Sequence, residues 1–155
     1  FLGEKTPIHD PHARGTISGL SLNHGLEHIW RALLEGFGYA FRHHVEVLNE
    51  VGHTTTHFLA SDGGSNSKFW MQIVSDILQQ PIQLLKNHPG SCLGAAWTAA
   101  IGVGASDDWQ GAAKFVTHGD VIKPNKDLAS LYDAGYKQFR QTYLAQVKLR
   151  NGALP

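Results

Sequence analysis

Residues 58–82 constrain this chain more than any other stretch. A β-prone run ends at Phe58-Leu59-Ala60, and the turn Asp62-Gly63-Gly64-Ser65 follows. Apolar residues then recur at Trp70, Ile73, Val74, Ile77 and Leu78, the three-to-four spacing of a helix. The spacing predicts a helix over 67–79, stopped by Pro81, and a second strand over 82–85. Strand, helix and strand within about thirty residues predict a right-handed parallel βαβ unit. The glycines let the backbone reach positive φ and let a ligand come close to the main chain. Free amides at the helix start, with the helix dipole, suit an anion such as a phosphate. The plain alternative is an α/β connection that happens to carry two glycines.

The other elements fall around this unit. Residues 1–14 show no periodicity and read as an irregular opening, the start of a fragment of something longer. Residues 15–20 read as a brief strand between two glycines. Leu26, Ile29, Trp30, Leu33, Leu34, Phe37, Phe41, Val45 and Leu48 mark the longest helix, with Asn23 as N-cap and Gly52 as its stop. Glu27/Arg31, Arg31/Glu35 and Arg42/Glu46 stand four apart on its polar side. Gly36 and Gly38 each cost a helix about 1 kcal/mol, which implies close packing there. A further helix carries Leu93, Ala96, Trp97, Ala100 and Ile101, with Gly94, Ala95, Ala99 and Gly102 small enough for a backbone to approach. Asp107 would cap a short helix over 108–114, residues 121–124 are extended, and a last helix covers 126–148. The tail 151–155 is expected to fray.

Composition removes several function classes. The 155 residues fit one domain, 1–155, and 42% hydrophobic content supplies a core. Thirteen basic and thirteen acidic residues give zero formal charge, against a nucleic-acid partner. The run 93–105 is too short and too rich in Gly and Ala to span a bilayer, and no signal segment opens the chain. The single cysteine, Cys92, forms no internal disulfide and suits a reducing cytosol, so a cytoplasmic location is expected. Cys92 reads as a small buried hydrophobe, Trp30, Trp70 and Trp97 as core, and Trp109 as packed under the last helices. His43 and His44 read as part of a wet face, and Asp76 as a polar-side residue. Among ten histidines, His24-Gly25-Leu26-Glu27-His28 matches the H-x-x-E-H pattern of zinc peptidases. Its histidines share a helix face, but spacing places no third ligand.

Three blocks together carry a family resemblance over roughly residues 1–105. Gly3-Glu4-Lys5-Thr6-Pro7 leads to Asp10-Pro11-His12-Ala13-Arg14-Gly15. Gly15-x-Ile17-x-Gly19-Leu20 precedes His28-Ile29-x-x-Ala32-x-Leu34-Glu35-Gly36. Asp62-Gly63-Gly64 runs through Trp70 and Gln72 to Asp76, Pro81-Ile82 and Gly94-Ala95-Ala96. In this order they resemble the C-terminal part of FGGY-type carbohydrate kinases, the sugar-kinase branch of the actin-like ATPases. Leu33 departs slightly from the second block.

The resemblance implies an α/β, ribonuclease-H-like lobe with a mixed sheet and packed helices. It implies ATP with Mg²⁺, held at Gly63 and Gly64 with Ser65, Ser67 and Lys68 nearby. Each of those three side chains has an alternative as a cap or a solvated residue. It implies a sugar or polyol substrate, the chain's own N-terminal lobe as partner, and leaves room for a homodimer. Pentuloses such as xylulose or ribulose fit the overall likeness, with glycerol and gluconate open. The family's catalytic aspartate and first phosphate hairpin lie upstream of these blocks, so Asp10, Asp62 and Asp76 are not its substitutes and this stretch alone is expected to be inactive. An actin-like regulatory ATPase domain without sugar kinase activity is the nearest rival.

Overall fold

Eleven residues of one helix, Lys68–Leu78 (α3), hold the layers together. The structure is a computed structural model and describes residues 3–152. Ser67 caps α3 by accepting the Trp70 amide, and Gln79 ends it in a left-handed conformation before Pro81. One side of α3 sends Ile73 and Ile77 against Leu34 and Tyr132; the other sends Met71 and Val74 against Ile82 and Leu84. A helix buried on two sides at once must be apolar around most of its girth. Its two buried polar residues, Ser75 and Asp76, therefore need internal partners.

The helical layer consists of α1 (Leu26–Glu50) and α5 (Ala129–Arg150). The sheet consists of β1 (Phe58–Ala60), β2 (Ile82–Lys86) and β3 (Thr117–Ile122). β1 and β2 run parallel, with Phe58 opposite Ile82 and Ala60 opposite Leu84, as the βαβ reading requires. β3 pairs antiparallel on the far side of β2, so the sheet is mixed. The remaining helices are α2 (Asp62–Ser65) and α4 (Ser91–Gly102), with 3-10 segments at Trp109–Phe115 and Lys126–Leu128.

Asp76 does not lie on a wet face, because the segment after β3 crosses over it. Its Oδ1 accepts the Asn125 amide at 2.7 Å and Gln72 Nε2 at 2.8 Å. Ser75 Oγ donates to the Gln80 and Ile122 carbonyls. These bonds fix β3 and its exit against α3.

Other expectations need correction. Residues 15–20 form no strand; the one isolated bridge described near the start joins Glu4 and Asp10 through paired 2.8 Å backbone bonds. Gly25, not Asn23, is the N-cap of α1, and Asp108, not Asp107, caps the segment beginning at Trp109. Arg31–Glu35 and Arg42–Glu46 pair as expected, whereas no Glu27–Arg31 pair occurs among the described residues. Gly38 packs tightly, since a Cβ there would meet Ile77 at 2.5 Å, but Gly36 and the small residues Gly94 and Gly102 face open space. His43 is buried rather than wet, and burial, with Arg140 nearby, pushes its pKa down. Trp30 and Trp109 are exposed, Cys92 is exposed, and α4 has no buried residue. No element within residues 3–152 buries Trp30, Trp109 or Cys92. The frayed-tail expectation falls partly on residues 153–155, outside the described residues.

Asp10 ties the opening loop to the end of α5. Its Oδ2 accepts Arg150 Nη2 at 2.7 Å and the Tyr143 hydroxyl at 2.9 Å, and its Oδ1 accepts the His12 amide. The Arg150 guanidinium, then Tyr143 and the His12 amide, hold its pKa down at about 2 against an ordinary 3.8. An acid whose pKa falls on folding stabilises the fold wherever it is ionised in both states. This contribution is whole above pH 3.8 and disappears as pH drops toward 2. Asp10→Asn in the full-length protein should lower Tm near neutral pH, and the gap from wild type should close across that acid window in thermal melts. Separately, Asp76→Ala removes the acceptor shared by the Asn125 amide and Gln72 Nε2 and should cost about 1–2 kcal/mol in urea unfolding.

Candidate nucleotide corner at the strand ends

The carboxyl ends of β1 and β2 lie side by side because the two strands are parallel neighbours. In open α/β sheets, ligands bind outside such strand ends. Each strand here leads into a loop and a helix start. β1 leads through Ser61 into α2, and β2 leads through Asn87 to Gly90 into α4.

The first loop differs from its expected form. The residues of the glycine turn are themselves one turn of helix, Asp62–Ser65, and α3 begins only after Asn66 and Ser67. The left-handed backbone falls on Asp62, φ +68°, and not on Gly63 or Gly64. The two glycines serve closeness instead. A Cβ on Gly64 would stand 2.4 Å from the Trp70 ring, so Gly64 lets α2 lie flat on that indole. A Cβ on Gly63 would meet nothing within 4 Å, so that side of the turn is open for a ligand. The first amides of any helical turn lack intrahelical acceptors, and Ser61 offers them no side-chain cap.

The other expected site residues separate into two groups. Ser65 is buried and its Oγ donates to the Asp62 carbonyl at 2.7 Å. Ser67 Oγ is taken by the Trp70 amide as the α3 cap. Lys68 Nζ donates to Asp120 Oδ2 on β3 at 2.5 Å, and that ammonium lowers the pKa of Asp120. Both partners are largely exposed, so the pair adds little stability. The open part of the turn is thus at Gly63, where a Cβ would meet nothing within 4 Å.

Gly90 is the residue that sequence reading passed over. Its φ is +61°, and a Cβ there would stand 1.8 Å from Asp62 Oδ1. The second loop therefore closes on the first only because residue 90 has no side chain. A glycine between a predicted strand and a helix of small residues was the available signal. Gly90 also donates its amide to His88 Nδ1 at 3.0 Å, which holds the loop in shape.

The H-x-x-E-H pattern assembles no cation site. His24 Nδ1 accepts the Ser21 amide and His28 Nδ1 accepts the Gly25 amide, so both rings are used to start α1. No group of three His, Cys, Asp or Glu able to hold a metal occurs among the described residues.

The chain is similar to proteins of one known family. The sequence model "FGGY family of carbohydrate kinases, C-terminal domain" matches residues 1–103. A xylulose kinase of Staphylococcus epidermidis is 31% identical over 142 residues, covering 91% of this chain and 29% of that protein. The crystal structure of xylulose kinase from Rhodospirillum rubrum superposes with a TM-score of 0.78 at 45% identity, over 91% of this chain and 29% of that one. A structure of Plasmodium falciparum glycerol kinase with ADP gives 0.70 at 25% identity, over 93% of this chain and 29% of that one. The chain thus spans under a third of the length of these relatives. The expected actin-like ATPase fold, with a mixed sheet and packed helices, is the fold of these structures.

Gly90→Ala tests how the corner is built. The new methyl group must displace Asp62 from a backbone already in the left-handed region. We expect a loss of about 1–3 kcal/mol and faster amide hydrogen exchange confined to residues 61–65 and 87–91.

Proposed function

The chain belongs to the FGGY family of carbohydrate kinases, and from that membership we propose that it is the nucleotide-holding C-terminal part of an ATP-dependent kinase. The whole enzyme would transfer the γ-phosphoryl group of ATP to a hydroxyl of a sugar or polyol. One observation carries the reading: the turn Asp62–Ser65, which has no side-chain cap, is open at Gly63 where two parallel strands end. In this reading a nucleotide lies over that turn. A Cβ at Gly63 would occupy the space that the ligand takes.

Gly63 and Gly64 are the contacts in this reading, through their backbone. Ser65 and Ser67 support the turn from within, and Lys68 flanks it. Main-chain donors of this kind are held in place before the ligand arrives, so they orient it without reorganising. Bound nucleotide would supply the transferable phosphoryl group. No group of three His, Cys, Asp or Glu that could hold Mg²⁺ occurs among the described residues, so Mg²⁺ would come to the site on the ATP phosphates.

Asp10 and Asp76 do not supply the catalytic base in this reading. Asp10 is engaged by Arg150 and Tyr143, and Asp76 by Gln72 and Asn125. Neither carboxylate is available to take a proton from a sugar hydroxyl. The base is assigned to the N-terminal lobe that this family's C-terminal domain implies. Pentuloses head the order of candidate substrates because two of the compared proteins are xylulose kinases; glycerol follows. A cytoplasmic location, assembly as a homodimer, and the absence of nucleic-acid or membrane partners belong to the same proposal. Among the described residues no helix is long and apolar enough to cross a membrane.

The test is coupled ADP release by the full-length protein with xylulose, ribulose, glycerol and gluconate. Turnover with at least one is expected, and residues 1–155 alone should give none. Gly63→Val should raise the KM for ATP about tenfold or more, since it fills the open face with about 1.4 kcal/mol or more of lost binding. ADP release that no polyol or ketose stimulates would overturn the kinase reading in favour of an actin-like regulatory ATPase.

A further inference from the structure

The turn Asp62–Ser65 is four residues long, too short to stand as a helix by itself. Its internal bonds fix its shape. Ser65 Oγ donates to the Asp62 carbonyl, and the Asn66 and Ser67 amides donate to the Gly63 and Gly64 carbonyls. These bonds do not fix where the turn stands on the lobe. Two close approaches do that: Asp62 lies against Gly90 on one side, and Gly64 lies against the Trp70 indole on the other. A Cβ on Gly64 would collide with Cζ3 of that ring and stand 3.2 Å from Cε3, so the turn rests directly on the benzo part of the indole.

The indole is itself held from several directions. Its Nε1 donates to the Leu34 carbonyl of α1 at 3.3 Å, the Phe37 and Phe41 rings lie near it, and its backbone amide donates to Ser67 Oγ. Trp70 also packs against both buried clusters, the one that α3 shares with α1 and α5 and the one that it shares with the sheet. A ring locked by packing and a hydrogen bond cannot tilt freely, so it sets the position of what lies upon it. We propose that Trp70 is a positioning residue for the kinase reaction: its indole sets the height of the turn, and so the place where Gly63 presents its open side. Trp70 acts through Gly64 and does not touch the nucleotide. The inference rests on the nucleotide-binding reading above and adds the residue that aims the turn. A tryptophan that served only the core would change how much protein folds and leave the affinity of the folded molecules as it was.

The experiment measures the Kd and the stoichiometry of ADP binding by calorimetry on the full-length protein. Stoichiometry reports how much of the protein is folded, and Kd reports the site in the folded molecules. Gly64→Ala should weaken binding about tenfold, because a methyl group cannot lie on the indole. Trp70→Leu should weaken it about fivefold, because the turn loses its support. The double variant Gly64→Ala/Trp70→Leu should bind within about threefold of Trp70→Leu, since the space that the ring leaves receives the methyl group. Trp70→Phe is the gentler replacement: it keeps a ring in the core but shortens it toward Gly64, so Gly64→Ala should cost less affinity there than in wild type. Two results would overturn the proposal and leave nucleotide binding standing. One is a wild-type Kd in both Trp70→Leu and Trp70→Phe, with only the stoichiometry reduced. The other is a Gly64→Ala penalty that is the same with and without the indole. If wild type itself binds no ADP, the nucleotide reading fails and this inference falls with it.

Discussion

Everything in this structure hangs on the burial of α3 between the sheet and the two long helices. Ile73 and Ile77 face one layer, and Met71 and Val74 face the other. This double contact fixes the crossover between β1 and β2, and the crossover makes those strands parallel. Parallel pairing in turn puts both loops at one end of the sheet. Were α3 free on one side, Asp62 and Gly90 would have no reason to meet.

The same helix explains why the proposed site is made of backbone. Its N-terminal end must be capped and its neighbours packed, and Ser67, Ser65 and Gly64 meet those needs. Side chains committed to structure are not free to bind. What stays open is the set of amides that a helical turn leaves unpaired, beside a glycine with nothing over it. A site of this kind gains rigidity from its surroundings and tolerates little change in them. The Trp70 indole shows the coupling: it supports Gly64, donates from Nε1 to the Leu34 carbonyl of α1, and lies near Phe37 and Phe41.

Two features outside the corner bear on how this lobe is tied together. The Asp10 carboxylate joins the first loop to the last turns of α5, so residues more than a hundred positions apart share one ion pair. Along α1, by contrast, Leu26, Trp30, Phe37 and Phe41 remain exposed while Leu34 and Gly38 are buried. The helix is apolar around more of its surface than α3 and α5 can cover. An amphipathic pattern reports that a face prefers burial. It does not report which element supplies the cover.

The sequence by itself determined the elements near the corner: the βαβ unit, the end of α3 before Pro81, and the family blocks from Gly3 to Ala96. Those follow from local rules, because periodicity and proline act over a few residues. Only the tertiary structure decided that Asp62 rather than a glycine carries the positive φ, that Gly90 closes on it, and that Asp76 and His43 are buried. Only the fold, likewise, left Trp30, Trp109 and Cys92 in the open. The reason is that burial and loop contact depend on residues distant in the chain, and a local pattern carries no record of which distant surface arrives.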